Sequence, residues 1–155
     1  MIASVYHPWN EDYEEFNNQL DSTLANDIPH GYEIIIGGDI NAQIGVCDCD
    51  ELNDVLGPFG IETRNEKGRD VIQTYQCNNL RFMNTCFEHK NNYFTHESNN
   101  RERTRSVIDI IAVSRSLAHL VIDCKVVDNG IHSDHSAISM TWNLRSNKPA
   151  FNNKL

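Results

Sequence analysis

The sequence contains no apolar run long enough to cross a membrane, and residues 1–30 contain no basic segment followed by an apolar one, which is the pattern of a secretory signal. Its 5 cysteines are odd in number, irregularly spaced and without a CxxC pair. A disulfide scaffold or a structural zinc site is therefore not expected. These absences predict an intracellular protein with reduced thiols and no membrane partner, and they leave nucleus and cytoplasm open.

Positive charge is absent from the first 63 residues: all 13 Lys and Arg residues come later, whereas 13 of the 22 Asp and Glu residues lie in this segment. The net charge of −9 argues against a protein that coats DNA non-specifically, because its surface would repel the phosphate backbone. An enzyme that binds a divalent metal at an acidic centre is compatible with this charge. The cluster Arg101, Arg103 and Arg105 could hold a nucleic-acid strand or be a solvated loop.

The length of 155 residues, with 39% hydrophobic and 23% charged residues, fits one globular domain with a buried core. Apolar periodicity predicts a helix capped by Asn10 and a second helix over residues 69–77. Strands are predicted over residues 2–6, 34–36, 80–84, 93–95, 107–113, 120–127 and 137–142, with an irregular segment at 42–66. This alternation predicts an α/β fold, with a domain over residues 1–144 and a tail or linker over 145–155.

The first candidate for chemistry is Gly38-Asp39-Ile40-Asn41, at the exit of a predicted buried strand. A carboxylate and an amide at this spacing can face one cavity. The Asp39 carboxylate could orient and deprotonate a water molecule, and the Asn41 amide could hold that water or a phosphate oxygen. The same residues are also an ordinary turn sequence, so this motif alone leaves both interpretations open.

The second candidate is Ser133-Asp134-His135, directly before the last predicted strand. Asp134 offers a hard oxygen ligand for Mg²⁺ or Mn²⁺, and His135 could offset charge at a phosphate. Alone, this pair could also be a surface turn. Asp109 lies among Val and Ile residues in a predicted strand and needs a partner if buried, for which His135 is suitable; a strand-end Asp facing water is the alternative. Tyr6, at the end of the first strand, could contact a phosphate or simply pack.

Taken in order, these motifs resemble the endonuclease/exonuclease/phosphatase superfamily. That superfamily shows Y-x-P, G-D-x-N, a strand-borne Asp and S-D-H, which are matched here by Tyr6-His7-Pro8, Gly38-Asp39-Ile40-Asn41, Asp109 and Ser133-Asp134-His135. Residues 63–68 are similar to an R-N-x-x-G segment, and residues 79–87 to an N-L…N-T-x-F segment, of non-LTR retrotransposon endonuclease domains and craniofacial development protein 2-like proteins. Tyr93-Phe94-Thr95 is similar to their segment before a DNA-facing loop.

The resemblance implies a catalytic role for several of these residues. Asp39 would activate the attacking water, Asn41 would position that water or the phosphate, and Tyr6 would contact the phosphate. His135, held by Asp109, would stabilise the transition state. The resemblance also implies one metal ligand for Mg²⁺ or Mn²⁺, Asp134, and substrate-strand contacts by Arg64, Thr95, Ser106 and Ser133.

The implied fold is a β-sandwich, two stacked sheets flanked by helices, and it is longer than this chain. Its first strands supply an Asn and a metal-binding Glu, and nothing before Tyr6 can play those parts. Met1 is followed directly by an apolar strand. We therefore expect an N-terminally truncated domain with missing first strands, an incomplete metal site and an exposed apolar face. Such a face could pair with a missing N-terminal half or with another chain.

The functional prediction is a metal-dependent phosphodiester hydrolase, with DNA as partner and nicking of DNA by a retroelement-type endonuclease as the reaction. An alternative of another class is a catalytically inactive fragment or interaction remnant of that domain. A further alternative within the enzyme class is a phosphatase or phosphodiesterase acting on lipid, inositol phosphate or RNA.

Overall fold

A computed structural model describes residues 1–10, 12–29, 31–90, 92–127 and 132–143. In chain order its helices and strands are β1 (Ile2–Tyr6), α1 (Tyr13–Asn26), β2 (Ile35–Asp39), α2 (Glu66–Cys77), β3 (Leu80–Phe82), β4 (His96–Glu97), β5 (Arg105–Ser106), β6 (Asp109–Ser114), β7 (Val121–Val127) and β8 (Ala137–Trp142). Short 3-10 turns lie at Asp50–Leu52, Met83–Thr85 and Ala118–Leu120. The described part of the chain is thus an α/β fold, as the sequence predicts.

A four-stranded sheet in the order β1-β2-β6-β3 forms the centre of the molecule. β1 and β2 run parallel and are connected by α1, because parallel neighbours need a crossover connection. β6 is antiparallel to both of its neighbours, β2 and β3. Among the described residues the other strands form two-stranded antiparallel pairs, β4 with β5 and β7 with β8.

Helices α1 and α2 cover one face of the central sheet. Each helix begins at a side-chain cap: the Asp12 carboxylate accepts from the amide of Glu14, and the Asn65 side chain accepts from the amide of Gly68. Apolar side chains at helical spacing then face the sheet. The main core contains Tyr13, Leu20 and Leu24 of α1, Val71, Ile72 and Tyr75 of α2, and the sheet residues Ile36, Leu80, Phe82, Ile110 and Ala112.

The opposite face of the sheet is only partly covered. Side chains that alternate with the main-core residues, such as Ile35, Ile111 and Val113, form a second core with the hairpin of β7 and β8. This hairpin packs over the β6 side of the sheet. On β1 the outward-facing side chains stay exposed, with Ile2 at 81% and Tyr6 at 65%. The described residues therefore form a helical layer, a central sheet and a partial second sheet, with an exposed apolar strip along β1.

The structure corrects the start of both predicted helices. Asp12, not Asn10, caps α1, because its carboxylate reaches the amides of the first turn. α2 begins at Glu66, three residues before the predicted start at Arg69. Gly68 lies inside that helix, where the absence of a side chain lets the Gln43 carbonyl approach: a Cβ at Gly68 would lie 1.9 Å from that oxygen.

Strand bounds also differ from the predictions at several places. β2 continues through both glycines to Asp39, and β3 ends at Phe82 because the following residues form a 3-10 turn. The strand predicted over residues 93–95 is wrong; the nearest strand is His96–Glu97. The predictions for residues 2–6 and 137–142 are confirmed, and so is the irregular segment 42–66 apart from its final residue. The predicted tail or linker, residues 145–155, lies outside the described residues.

In the part of the chain that the structure describes, neither helix is both long and apolar enough to cross a bilayer.

Gly38→Ala should destabilise the fold far more than Gly37→Ala, although the two residues are neighbours on β2. A Cβ at Gly38, where φ is +155°, would lie 1.8 Å from the Val5 carbonyl oxygen. A Cβ at Gly37 meets nothing nearer than the Ile110 oxygen at 3.7 Å. We expect the first substitution to cost more than about 3 kcal/mol and the second less than about 1 kcal/mol in urea unfolding. Equal midpoints for both variants would contradict this packing.

Candidate active site

The strand registers place three of the predicted site residues in one row. Tyr6 of β1 pairs with Asp39 of β2, and Asp39 pairs with Asp109 of β6. Laterally paired residues point to the same face of a sheet. Because Ile111 and Val113 share the face of Asp109 and pack on the β7–β8 hairpin, the row lies on the face opposite the helices. It sits at the end of β2, where the hairpin leaves the sheet uncovered.

Asn41 fixes the Asp39 carboxylate from the loop that follows β2. The backbone amide of Asn41 donates to Asp39 Oδ1 at 2.9 Å, and its side-chain Nδ2 donates to Asp39 Oδ2 at 3.2 Å. Nδ2 also donates to the His7 carbonyl at 2.8 Å, so both amide hydrogens are engaged. The tight loop requires φ of +45° at Asn41, a conformation that Asn adopts more readily than most residues. Among the described residues, the side-chain carbonyl of Asn41 has no hydrogen-bond partner.

His135 is oriented by the Asp109 carboxylate. The imidazole Nδ1 lies 3.0 Å from Asp109 Oδ2 and 3.2 Å from Oδ1. A backbone bridge between His96 and His135 and the hydrogen bond from the His135 amide to Ser133 Oγ fix the main chain. Since Nδ1 is occupied, Nε2 is the atom left to contact a substrate. The sequence leaves the partner of Asp109 open, and the structure identifies it as His135, beside a carboxylate that is 18% exposed.

The electrostatics of the site separate the roles of its acids. Partial burial raises the pKa of Asp39, the Asn41 amide opposes this, and the Asp109 charge adds to the increase. Partial burial also lowers the pKa of His135, but the hydrogen bond and charge of Asp109, with smaller contributions from Asp39 and Asp134, outweigh it and raise that pKa. An acid with a raised pKa beside a histidine with a raised pKa is the kind of pair that acid–base chemistry uses.

The donor set at this site fits a divalent cation. Ligand atoms of Asp39, Asp109 and His135 lie within 4.8 Å of one another. Carboxylate oxygens are the ligands that Mg²⁺ and Mn²⁺ prefer, and the mutual repulsion of the two acids favours a cation beside them. Asp134, the metal ligand predicted from the sequence, stands outside this group. Its side chain is 44% exposed and lies 3.9 Å from His96 Nε2.

His96 is a site residue that the sequence reasoning missed. Its ring centroid lies 4.8 Å from that of His135, and its Nδ1 is bonded to Ser106 Oγ at 3.2 Å. His96 therefore lies directly beside His135, one of the predicted site residues. Its position directly after the recognised Thr95 was the available signal, but a lone histidine before a polar loop has no distinctive pattern.

Thr95, Ser106 and Ser133 lie around the site without all facing it. Thr95 is fully buried, and its hydroxyl accepts from the amides of Ile108 and Asp109 at 3.0 and 3.1 Å. These two hydrogen bonds fix the backbone at the start of β6, so Thr95 positions Asp109, and its contact with a substrate strand stays a prediction. Ser106 supports His96, and Ser133 accepts from the backbone amide of His135.

Arg64 does not join the cluster either. Its guanidinium donates to the carbonyls of Ile44 and Val46 and pairs with Asp48 at 3.1 Å, and its side chain is only 15% exposed. Arg64 thus closes the loop that follows Asn41, and its contact with a substrate strand stays a prediction. Asn65 and Gly68 also contact this loop, at the backbone of Gln43. The Asn65 side chain accepts from the Gln43 amide at 3.2 Å, and Gly68 leaves room for the Gln43 carbonyl.

The basic cluster of the sequence is partly neutralised in the structure. Arg105 pairs with Glu97 at 2.7 Å, and Arg103 lies 3.5 Å from the same carboxylate. Both arginines are mostly exposed, so their guanidinium groups keep donors for a phosphate backbone at the rim beyond His96.

The fold and the site define the class of protein. The structure is similar to the endonuclease domain of TRAS1, a telomere-specific non-LTR retrotransposon, at a TM-score of 0.64 and 16% identity over 91% of this chain and 56% of that one. It is also similar to an AP endonuclease from Archaeoglobus fulgidus, at a TM-score of 0.63 and 17% identity over 92% of this chain and 62% of that one. A third similar structure is the 3′ phosphatase NExo from Neisseria bound to product DNA hairpin, at a TM-score of 0.62 and 15% identity over 84% of this chain and 52% of that one. These proteins share the endonuclease/exonuclease/phosphatase fold.

A family model supplies the more specific assignment. The endonuclease-reverse transcriptase family matches residues 1–139, so the chain belongs to that family. Comparison with curated proteins gave no match. The chain spans 52% to 62% of the length of the solved structures named above. The superfamily resemblance drawn from the motifs is confirmed.

Asp109→Asn should lower the pKa of His135, since the variant removes the charge that holds the imidazole protonated. Titration of the His135 ring by NMR in EDTA measures this, with Asp48→Asn as a control that removes a remote carboxylate. The raised folded-state pKa means that the pair stabilises fully below about pH 6.5 and loses this contribution as pH rises through the folded-state value. An unchanged His135 titration in Asp109→Asn would refute the pairing.

Thr95→Val should destabilise the chain by about 1–3 kcal/mol, because the amides of Ile108 and Asp109 would lose a buried acceptor. Thr95→Ser keeps the hydroxyl and should cost no more than about 1 kcal/mol for the lost methyl group. Urea unfolding of both variants separates the hydroxyl from the methyl. A larger loss in Thr95→Ser than in Thr95→Val would show that packing, not hydrogen bonding, fixes this position.

Proposed function

We propose that this chain is the catalytic part of a metal-dependent phosphodiester hydrolase that nicks DNA. The observation that carries the proposal is the convergence of Asp39, Asn41, Asp109 and His135, which come from separate segments of the chain. A carboxylate with a raised pKa, an amide and a charged histidine at one opening form a set suited to hydrolysis of a phosphate ester.

The chain's own residues divide the work between activation and charge stabilisation. Asp39, held by Asn41 and with its pKa raised, orients a water molecule and accepts its proton. His135, kept protonated by Asp109, donates a hydrogen bond from Nε2 to a phosphoryl oxygen as charge develops. Tyr6 is exposed beside Asp39 in the same row, and its hydroxyl donates a hydrogen bond to another phosphate oxygen.

The metal proposed for this site is Mg²⁺ or Mn²⁺. Asp109 would hold it, with Asp134 at the rim as a further oxygen ligand, so that the Asp39 carboxylate beside them keeps its role as the base. When bound, the ion supplies charge neutralisation for the phosphate in a site that otherwise carries an excess of carboxylates.

DNA is the substrate that the family and the related structures favour. The TRAS1 domain is a retrotransposon endonuclease, and NExo was solved with a product DNA hairpin. The arginines at the rim suit a phosphate backbone, while the acidic α1 lies on the helical side of the sheet, away from the site row. The charge asymmetry thus points a strand toward the β4–β5 side of the opening.

A plasmid-nicking assay with Mg²⁺ tests the proposal. Asp39→Asn and His135→Gln should each lower the nicking rate by about 10²- to 10⁴-fold, because each removes a group that acts on the reacting atoms. Asp21→Asn on α1 removes a remote carboxylate and should leave the rate unchanged. Addition of EDTA should abolish nicking in the parent chain.

The outcomes distinguish the remaining functional classes. Equal rates in all variants would exclude this site as the source of activity. Release of 3′ phosphate from an oligonucleotide without plasmid nicking would identify a phosphatase. A folded chain that does neither, with Mn²⁺ as well as Mg²⁺, would be an inactive fragment.

A further inference from the structure

Two large aromatic side chains stand exposed at the end of β1. Tyr6 is 65% exposed and Trp9, three residues later, is 76% exposed. A tryptophan this exposed gives up most of the burial that usually stabilises it. Single exposed apolar residues are common, but this pair is concentrated in a short segment next to the candidate active site.

His7 fixes the segment that carries these aromatic residues, because its side chain packs on α1. The His7 side chain is fully buried, with its ring 4.1 Å from that of Tyr13 and 4.7 Å from that of Phe16. The His7 amide donates to the Asp39 carbonyl at 2.9 Å, and the His7 carbonyl accepts from Asn41. The neighbours of His7 are therefore held against the catalytic loop while their side chains stay in solvent.

A lysine lies beside Trp9 in a region that is otherwise acidic. Lys67 Nζ donates to the Trp9 carbonyl at 3.3 Å and lies 4.9 Å from the centre of the Tyr13 ring. Lys67 belongs to the first turn of α2, which packs on the loop after Asn41 through Asn65. Lys67 thus lies against the backbone of the segment that carries both exposed aromatic side chains.

We propose that Trp9 stacks on an unpaired base of the DNA strand whose phosphate occupies the candidate active site, with Lys67 holding a neighbouring phosphate. Bases inside a duplex are stacked on both sides, so an exposed ring stacks most readily on a base that has left the helix. Tyr6 is placed to contact the reacting phosphate, since it pairs directly with Asp39. The inference rests on the proposed function and adds a preference for flexible or single-stranded DNA near the cut.

The fluorescence of Trp9 gives a readout that does not need catalysis. The chain has 2 tryptophans, and the other, Trp142, is packed against the second core. In Trp142→Phe, Trp9 is the remaining fluorophore, and oligo-dT added with Ca²⁺ in place of Mg²⁺ should quench it saturably. In Trp9→Phe, where Trp142 remains, oligo-dT should cause no quenching. If Trp142→Phe fails to fold, the loss of quenching between the parent chain and Trp9→Phe carries the same information.

Fluorescence anisotropy of labelled oligo-dT measures how much the Trp9 ring contributes to the binding affinity. Trp9→Ala should weaken binding by about 5- to 150-fold, the range for loss of one base–aromatic stack. Trp9→Phe should keep most of the affinity because it keeps an aromatic face. Tyr32→Ala is the matched control: Tyr32 is 63% exposed but precedes β2, at the end of the strand opposite Asp39. It should bind as the parent chain does.

The results separate this inference from the proposed function. Quenching and a Trp9→Ala defect without any nicking would support the stacking site and refute the nuclease. Nicking with no change in Trp9 fluorescence would overturn the stacking site alone. Equal quenching by a blunt duplex would overturn the assignment to an unpaired base. A Trp9 signal that follows protein concentration, and not oligo-dT, would overturn it in favour of self-association through β1.

Discussion

The antiparallel register of β2 and β6 determines the candidate active site. It sets Asp39 opposite Asp109, and the partner strand β1 extends the row to Tyr6. A slip of one residue would turn Asp39 or Asp109 toward the helices, into the core around Ile36 and Ile110. An unpaired carboxylate there would be costly, so burial of the apolar face and alignment of the acids are fixed by the same pairing.

Much of the surrounding structure serves to hold loops at the ends of these strands. Thr95 ties the start of β6 to the segment before β4, and Asn41 ties the loop after β2 to β1. Arg64 and Asn65 close the longer loop from the other side. None of these contacts adds a group that reacts. They remove conformational freedom from the groups that do, which is how a site gains precision without larger binding contacts.

The sequence was informative where chemistry and backbone geometry coincide. The order of Tyr6, Asp39, Asp109 and His135 is readable as a motif, and the acid among apolar neighbours on β6 predicted a partner, which the structure identifies as His135. The sequence did not reveal which groups a motif residue contacts in the folded chain. Arg64 and Thr95 look like substrate contacts in a linear motif because nothing local reveals that their donors and acceptors are used by backbone groups distant in sequence. His96 escaped for the opposite reason: its meaning comes from a bridge to His135 across the fold.

Charge is distributed unevenly around the opening. The acids of α1 lie on the helical side of the sheet, and the exposed arginines lie beyond β4, so a polyanion is repelled from one side and accepted on the other. The row of site residues runs between these regions and ends at β1, whose outward face is uncovered among the described residues. In the proposed complex, a strand that enters past the arginines would cross His135 and Asp39 before it meets Tyr6 and Trp9. Electrostatic attraction would then act where the proposed substrate arrives, and the exposed aromatic side chains at the end of β1 would lie beyond the proposed reacting groups, where a base no longer needs to stay paired.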